Sequence, residues 1–167
     1  MPLLTPQFDF RRIQEIPTSF FVQHGIRALL LDVDNTLTTH NAPQPWPGVV
    51  EWTHKLQEAG FSVIIVSNNT RRRVQAFAAG FDLPFCSRAL KPLPVGYVRA
   101  ARLAGVPCRR CVVVGDQIFT DIVGANLVRM SSVLLTPLQE ETGWSFKVRR
   151  RLEKPFRKKL SDQERGK

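Results

Sequence analysis

Residues 29–37 read Leu29-Leu30-Leu31-Asp32-Val33-Asp34-Asn35-Thr36-Leu37, an apolar run that ends in two carboxylates two positions apart. A run of this kind is typical of a central strand in a parallel sheet, which is covered on both faces. Ligands of open α/β sheets bind beyond the carboxyl ends of the strands, so we expect Asp32 and Asp34 at a functional site. Their mutual repulsion requires a cation or a shared proton. The alternative is a simple turn in which Asp34 and Asn35 cap backbone groups.

Strand-like and helix-like segments alternate along the rest of the chain. Strands are predicted at Ile26–Val33, Phe61–Ser67, Phe85–Ser87, Cys111–Gly115 and Ser132–Leu135, and helices at Gly48–Ala59, Arg71–Ala79, Pro94–Ala104 and Phe119–Val128. This alternation predicts an α/β fold, a Rossmann-like three-layer sandwich with a mostly parallel sheet and helices on both faces. The Pro-rich stretch 38–47 is too short for a large cap domain, so the site should stay open to a bulky substrate.

The 167 residues, 43% of them hydrophobic, suit one compact domain. We expect residues 1–25 to form an irregular arm packed on the sheet through Phe8, Phe10, Phe20 and Phe21. Residues 26–140 would form the α/β domain and residues 141–167 a basic helix or tail. No apolar stretch reaches the roughly 18–20 residues needed to span a bilayer, and residues 1–12 lack a signal-peptide pattern. We therefore expect a cytoplasmic protein.

The three cysteines suit a reducing compartment. The pair Cys108 and Cys111 forms a CxxC motif, but a structural zinc site needs a second pair of ligands, and a redox motif normally opens a helix. Here Cys111 leads into the strand-like Val112-Val113-Val114. An ordinary loop and strand position is therefore favoured over zinc or redox chemistry.

The formal net charge of +10 indicates an anionic partner. Eight Lys or Arg residues and one acid, Glu153, lie between Trp144 and Leu160, so this segment alone carries +7. Its apolar residues recur every fourth position, at Trp144, Val148, Leu152, Phe156 and Leu160. A helical tail could pack this stripe on its own domain, insert it at an anionic membrane surface, or use its charge to bind RNA. The sequence leaves these three possibilities open.

Polar residues suited to phosphate follow the other predicted strands as well. Ser67 and Asn68 follow one strand, Lys91 precedes a helix, and Asp116 and Asp121 follow Gly115. Helix capping or solvation could explain each of these residues alone. Together, Asp32, Asp34 and Asp116 would form an oxygen-rich pocket for Mg²⁺, while Ser67 and Lys91 would neutralise a transferring phosphoryl group.

These residues resemble the four motifs of haloacid dehalogenase (HAD) superfamily phosphatases. The first motif is matched by DVDNT at 32–36, the second by Ser67, the third by Lys91 and the fourth by GDQIFTD at 115–121. The four occur in order over about 26–135. Within the superfamily the chain resembles the subclass IIIA, YqeG-like proteins, which lack a sizeable cap, and it is also similar to the mitochondrial phosphatidylglycerophosphatase group.

The resemblance implies a Mg²⁺-dependent phosphomonoesterase with an aspartyl-phosphate intermediate. Asp32 would be the nucleophile, and Asp34 the general acid and base whose backbone carbonyl also binds the metal. Phosphoryl oxygens would be held by Ser67 and Lys91, with further substrate contacts from Thr36 and Asn68. The metal would be bound by Asp116, with Asp121 ordering its water shell. An acid at position 34 favours phosphate esters over halides and phosphoanhydrides, whose leaving groups need no proton.

Three classes of function stay open: two phosphatases that differ in substrate, and a binding protein. A lipid phosphate such as phosphatidylglycerophosphate is favoured, with the basic tail in peripheral contact with the inner face of an anionic membrane. The second class is a soluble sugar or nucleotide phosphate. The third is an RNA- or ribosome-associated binding protein whose phosphatase site is secondary.

Overall fold

Six parallel strands form one sheet in the computed structural model, which describes residues 2–39 and 42–137. The strands are β1 (Phe8–Phe10), β2 (Ala28–Leu31), β3 (Ser62–Val66), β4 (Phe85–Cys86), β5 (Cys111–Gly115) and β6 (Ser131–Leu135). Their order across the sheet is β1-β6-β5-β2-β3-β4. The strand β2 therefore lies near the middle, with Leu31 opposite Ile65 on one side and Val114 on the other. The predicted parallel α/β fold is confirmed.

Five α-helices within the described residues cover the two faces of the sheet. They are α1 (Thr18–Gln23), α2 (Val49–Glu58), α3 (Arg71–Ala79), α4 (Pro94–Ala104) and α5 (Val123–Leu127). Side chains of β2 alternate between the two faces, as a strand requires. Leu29 and Leu31 join the core beneath α1, α2 and α3, whereas Leu30 joins the core beneath α4 and α5. Both faces are buried, which explains the uninterrupted apolar run in the sequence.

The N-terminal segment differs from the irregular arm that we expected. Residues 8–10 pair with β6 as the edge strand β1, with Phe8 opposite Val133. The helix α1 follows, and its Phe21 is fully buried, whereas Phe20 is only partly buried. Trp52 of α2 anchors the connection through a hydrogen bond from Nε1 to the Ile16 carbonyl at 3.0 Å. This segment is thus built into the sheet and one helix layer.

The helix predicted at 119–128 also differs in form. It begins as a π-helical turn, Ile118–Ile122, and continues as α5. The segment between β2 and α2 holds no helix or strand within its described residues, which agrees with the absence of a large cap there. Among the described residues, no helix is long and apolar enough to cross a membrane. The basic segment 141–167 lies outside the described residues.

Candidate active site

The two motif acids, Asp32 and Asp34, occupy a tight turn directly after β2. The Asp32 N–H donates to the Val114 carbonyl at 3.0 Å, which continues the ladder with β5. The Val33 carbonyl then accepts the Leu37 N–H at 3.0 Å and closes the turn. Asn35 lies within this turn at a φ of 57°, a left-handed conformation that Asn tolerates better than most residues. The turn places both acids at the carboxyl edge of the sheet, as predicted.

Lys91 connects two of the acids. Its ammonium donates to Asp32 Oδ1 and lies 2.7 Å from Asp121 Oδ1. Only 5% of the Lys91 side chain is exposed, so this lysine is not the solvated charge that a lone Lys usually is. Three sequence-distant motif residues are thus in direct contact.

Room for Asp121 depends on Gly115 at the end of β5. A Cβ on Gly115 would lie 2.4 Å from Asp121 Oδ2, far inside van der Waals contact. The same carboxylate oxygen accepts the Gln117 N–H at 3.2 Å. The glycine in the fourth motif therefore permits the close approach of an acid from the following π-helical turn.

The electrostatics of this pair follow from burial and mutual attraction. Burial raises the pKa of Asp32 well above its ordinary value; Lys91 opposes this rise, and Asp121 and Asp116 add to it. Burial alone would lower the pKa of Lys91, but the carboxylates of Asp121 and Asp32 reverse that effect and raise its pKa. Lys91 is therefore a permanent cation at neutral pH. It partly offsets the repulsion among the buried acids.

Asp32, Asp116 and Asp121 form a cluster that suits a divalent cation. Each offers a carboxylate oxygen within 4.8 Å of the others, and all three residues are buried. Hard cations such as Mg²⁺ prefer oxygen ligands of this kind. The donor set therefore fits the predicted magnesium. The backbone carbonyl of Asp34 is also predicted to bind the metal. The Asp34 carboxylate is not part of this cluster.

The predicted phosphate ligands differ in what they contact. Ser67 is buried at the end of β3, and its Oγ accepts the Asn69 N–H at 3.2 Å. The Asn68 side chain braces Lys91: its Oδ1 accepts the Lys91 N–H at 2.7 Å and its Nδ2 donates to the Lys91 carbonyl at 3.1 Å. Thr36 is buried, and its hydroxyl has no hydrogen-bond partner among the described residues. Substrate contacts of these residues stay predictions.

Asp34 is held by two residues that the sequence analysis did not assign. Asn69 Nδ2 donates to Asp34 Oδ2 at 3.0 Å, and Arg73 Nη2 donates to Asp34 Oδ1 at 2.8 Å. Arg73 lies in the first turn of α3, where the helix dipole disfavours cations. A row of three arginines at that position, Arg71–Arg73, was the available signal that one of them serves a nearby acid.

Tyr97, the single tyrosine of the chain, is a second residue that the motifs did not reveal. Its hydroxyl donates to the Thr120 carbonyl at 2.8 Å and so fixes the π-helical turn that carries Asp121. Burial raises the pKa of Tyr97, and the negative charge of Asp121 raises it further, so the phenol stays protonated. A tyrosine in a helix gives no sequence signal for such a role.

Cys111 begins β5, as predicted, whereas Cys108 begins a single 3₁₀ turn, Cys108–Arg110, in place of the predicted loop. All three cysteines are free thiols, with Cys86 and Cys111 buried and Cys108 half-buried. Burial raises the pKa of Cys111 to about 12. The clusters of possible metal ligands found among the described residues include no cysteine.

Two family descriptions match this sequence. The haloacid dehalogenase-like hydrolases match residues 40–128, and the mitochondrial PGP phosphatases match residues 2–77. The sequence is also 33% identical over 149 residues to the probable phosphatase YqeG of Bacillus subtilis. That alignment covers 89% of this chain and 87% of YqeG.

Solved structures share the fold at low sequence identity. A HAD phosphatase from Thermococcus onnurineus superimposes with a TM-score of 0.62 at 16% identity, covering 71% of this chain and 90% of that one. The cobalt-bound deoxy-D-mannose-octulosonate 8-phosphate phosphatase of Haemophilus influenzae gives a TM-score of 0.54 at 16% identity, covering 67% and 69%. At these identities the likeness concerns the fold.

Proposed function

Because this chain belongs to the haloacid dehalogenase-like hydrolases and is a YqeG-like phosphatase, we propose that it is a Mg²⁺-dependent phosphomonoesterase acting on a lipid phosphate. The observation that carries the chemistry is the contact of Lys91 with both Asp32 and Asp121 at the carboxyl edge of the sheet. This contact joins the proposed nucleophile, phosphate ligand and metal site in one buried centre.

In the first step, a carboxylate oxygen of Asp32 attacks phosphorus and the bond to the leaving alkoxide breaks. Asp34 gives its proton to that alkoxide, so the alcohol departs neutral. In the second step, Asp34 takes a proton from water, whose oxygen attacks the aspartyl-phosphate. The bond between phosphorus and Asp32 breaks, inorganic phosphate leaves, and both acids return to their starting states.

The other site residues stabilise charge or hold position. Lys91 and Ser67 would bind the phosphoryl oxygens, and the Thr36 hydroxyl, which is buried without a partner among the described residues, would add a donor. Asp32 and Asp116 would hold Mg²⁺ together with the Asp34 carbonyl, with Asp121 ordering its waters. Bound Mg²⁺ would neutralise negative charge on the phosphoryl group.

Two observations support a lipid substrate. The match to mitochondrial PGP phosphatases over residues 2–77 includes the first motif and Ser67. In addition, the loop that carries Lys91 and the start of α4 expose three large apolar side chains: Leu90, Leu93 and Val95 are each more than half exposed. Arg88, Leu90 and Leu93 also line a shallow depression that reaches Lys91 and Asn68. Exposed leucines beside the exposed Arg88 suit insertion at the boundary between headgroups and acyl chains.

A substrate panel tests the proposal. Phosphate release in Mg²⁺ would be compared for short-chain phosphatidylglycerophosphate, sugar phosphates, nucleotides and 5′-phosphorylated oligonucleotides. We expect the highest kcat/KM for the lipid. A preference for sugar phosphates or nucleotides would move the assignment to a soluble substrate. Preferred turnover or tight binding of the oligonucleotide would favour the RNA-associated alternative.

Membrane contact is tested by vesicle co-sedimentation of L93Q with L103Q as its matched control. Leu103 is 53% exposed, as Leu93 is at 55%, but it lies ten residues further along α4, about 15 Å away. We expect L93Q to weaken binding to anionic vesicles and L103Q to leave it unchanged. If L93Q binds anionic vesicles as well as L103Q does, the loop that carries Lys91 does not contact the membrane.

The basic tail is tested in the same assay by truncation after Gly143. If it serves a membrane, truncation reduces turnover of vesicle lipid far more than turnover of a soluble phosphate, and added salt weakens vesicle binding of the full chain. If the tail instead packs on the domain, truncation lowers the melting temperature and both activities together.

A further inference from the structure

The position of Asp34 defines where a leaving alcohol must lie. This argument rests on the proposed function, in which Asp34 protonates the departing oxygen. The alcohol must therefore lie against the Asp34 carboxylate, whose two oxygens are bound by Arg73 at 2.8 Å and Asn69 at 3.0 Å. Its first carbons would thus meet the side chains of these two residues.

Both of these side chains, Asn69 and Arg73, line a cleft of about 270 Å³. Ser67, Asn69 and Arg73 provide its polar side, and Val33, Pro43 and Phe77 line its apolar side. Apolar walls suit the carbon skeleton of an alcohol, and the polar side lies next to the proposed phosphoryl ligand Ser67. The cleft is therefore suited to receive the leaving alcohol.

Arg73 is the charged side chain of that cleft. Its side chain is 34% exposed, while Nη2 donates to Asp34 Oδ1 at 2.8 Å and Nη1 to Asn69 Oδ1 at 3.4 Å. Guanidinium carries five N–H donors in a planar fork that matches carboxylate and phosphate oxygens. Arg71 and Arg72, both exposed, precede it in the first turn of α3 and add positive charge.

We propose that Arg73 is a specificity-determining residue, which binds a second anionic group on the leaving alcohol. The preferred substrates would be phosphomonoesters that carry a phosphodiester or a carboxylate a few atoms from the scissile phosphate. An alcohol without that second charge would enter the same cleft but would offer no anionic group for the guanidinium to bind.

The test compares two substrates that differ in one group. 3-Phosphoglycerate has a carboxylate where glycerol 3-phosphate has a hydroxymethyl group, and the ester oxygen is otherwise alike. We expect R73Q to raise KM for 3-phosphoglycerate by about tenfold or more relative to its effect on glycerol 3-phosphate, the loss of a charge-assisted hydrogen bond. R72Q, which removes an exposed neighbour of equal charge, should leave KM unchanged for both substrates.

Loss of the Asp34 contact would act differently. It would lower kcat for both substrates by the same factor, because their leaving groups need the same proton. Equal effects of R73Q on the two substrates would therefore overturn the assignment and leave Arg73 as a positioning residue. If R73Q melts at a much lower temperature, R73K serves instead: it keeps the charge but loses the fork, and a selective rise in KM is again expected.

Short-chain phosphatidylglycerophosphate, below its micelle concentration, separates the two sources of the second charge. A larger KM effect of R73Q on this diester than on 3-phosphoglycerate would assign a phosphodiester, and the reverse would assign a carboxylate. A wild-type protein inactive toward all these esters and p-nitrophenyl phosphate would overturn the proposed function, and the role of Arg73 with it. Activity without the selective KM effect would overturn the role of Arg73 alone.

Discussion

The Lys91 ammonium lies 2.7 Å from Asp121 Oδ1, although the two residues are thirty positions apart. The contact joins the loop after β4 to the π-helical turn after β5, and Lys91 also donates to Asp32 after β2. One buried cation therefore links the ends of three strands. The catalytic centre and the stability of the sheet edge depend on the same side chain.

Replacing Lys91 with Met should destabilise the protein by roughly 3–5 kcal/mol, because buried carboxylates would lose their partner. Urea denaturation measures the loss. Mg²⁺ should recover part of the lost free energy of unfolding, because it can occupy the acid cluster in place of the missing ammonium. Arg88→Met, which removes an exposed cation from the same loop, is the control and should have little effect. An unchanged free energy of unfolding for Lys91→Met would contradict the buried pairing.

Asp32→Asn should abolish turnover and leave the fold intact. The amide is a far poorer nucleophile toward phosphorus, but its oxygen can still accept the hydrogen bond from Lys91. Phosphate release and circular dichroism measure the two effects. Wild-type activity in Asp32→Asn would exclude the covalent mechanism.

Asp34→Asn should slow alkyl phosphates more than activated aryl phosphates, because phenolate leaving groups need less protonation. A series of substrates of rising leaving-group pKa measures the slope of log kcat/KM. We expect a steeper slope than in the wild type. The same rate loss across the whole series would remove Asp34 from the acid role.

Metal removal should silence the enzyme. EDTA would strip a cation from the cluster of Asp32, Asp116 and Asp121, and excess Mg²⁺ should restore turnover. Asp116→Asn should shift the restoring Mg²⁺ concentration upward, which a titration of activity measures. Full activity after complete chelation would exclude a metal-dependent mechanism.

The sequence predicted α2 to α5 and β2 to β6, because helical periodicity and apolar runs are local signals; α1 was missed within the expected irregular arm. Strand β1 escaped because it is three residues long and is defined by its pairing: Phe8 lies opposite Val133, 125 positions away. Such a partner leaves no local signal. The π-helical turn at 118–122 was likewise missed. The hydrogen bond from the Gln117 N–H to Asp121 Oδ2, which accompanies this turn, leaves no signal in the sequence either.

The motif residues were identified because each one directly follows a strand or precedes a helix at the same sheet edge. Their pairing was not predictable in detail: Asn68 was assigned to substrate, yet its amide bonds the backbone of Lys91. Arg73 and Tyr97 project from helices α3 and α4, where charged and aromatic residues have ordinary explanations. Only the three-dimensional packing shows that they support Asp34 and the turn of Asp121.

The two cysteines of the CxxC motif, Cys108 and Cys111, should differ in reactivity. Burial raises the pKa of Cys111 to about 12, so at pH 8 roughly one molecule in ten thousand would carry its thiolate, the reactive form. Iodoacetamide should therefore modify the half-buried Cys108 well before Cys111, as peptide mass spectrometry would show. Since the native thiol holds its proton more tightly than the unfolded one, its contribution to stability is intact below about pH 9 and declines as the pH rises toward 12. In guanidinium chloride both thiols should react at similar rates, because unfolding removes the burial. Equal rates in the folded protein would show that Cys111 is accessible and would contradict its place at the start of β5.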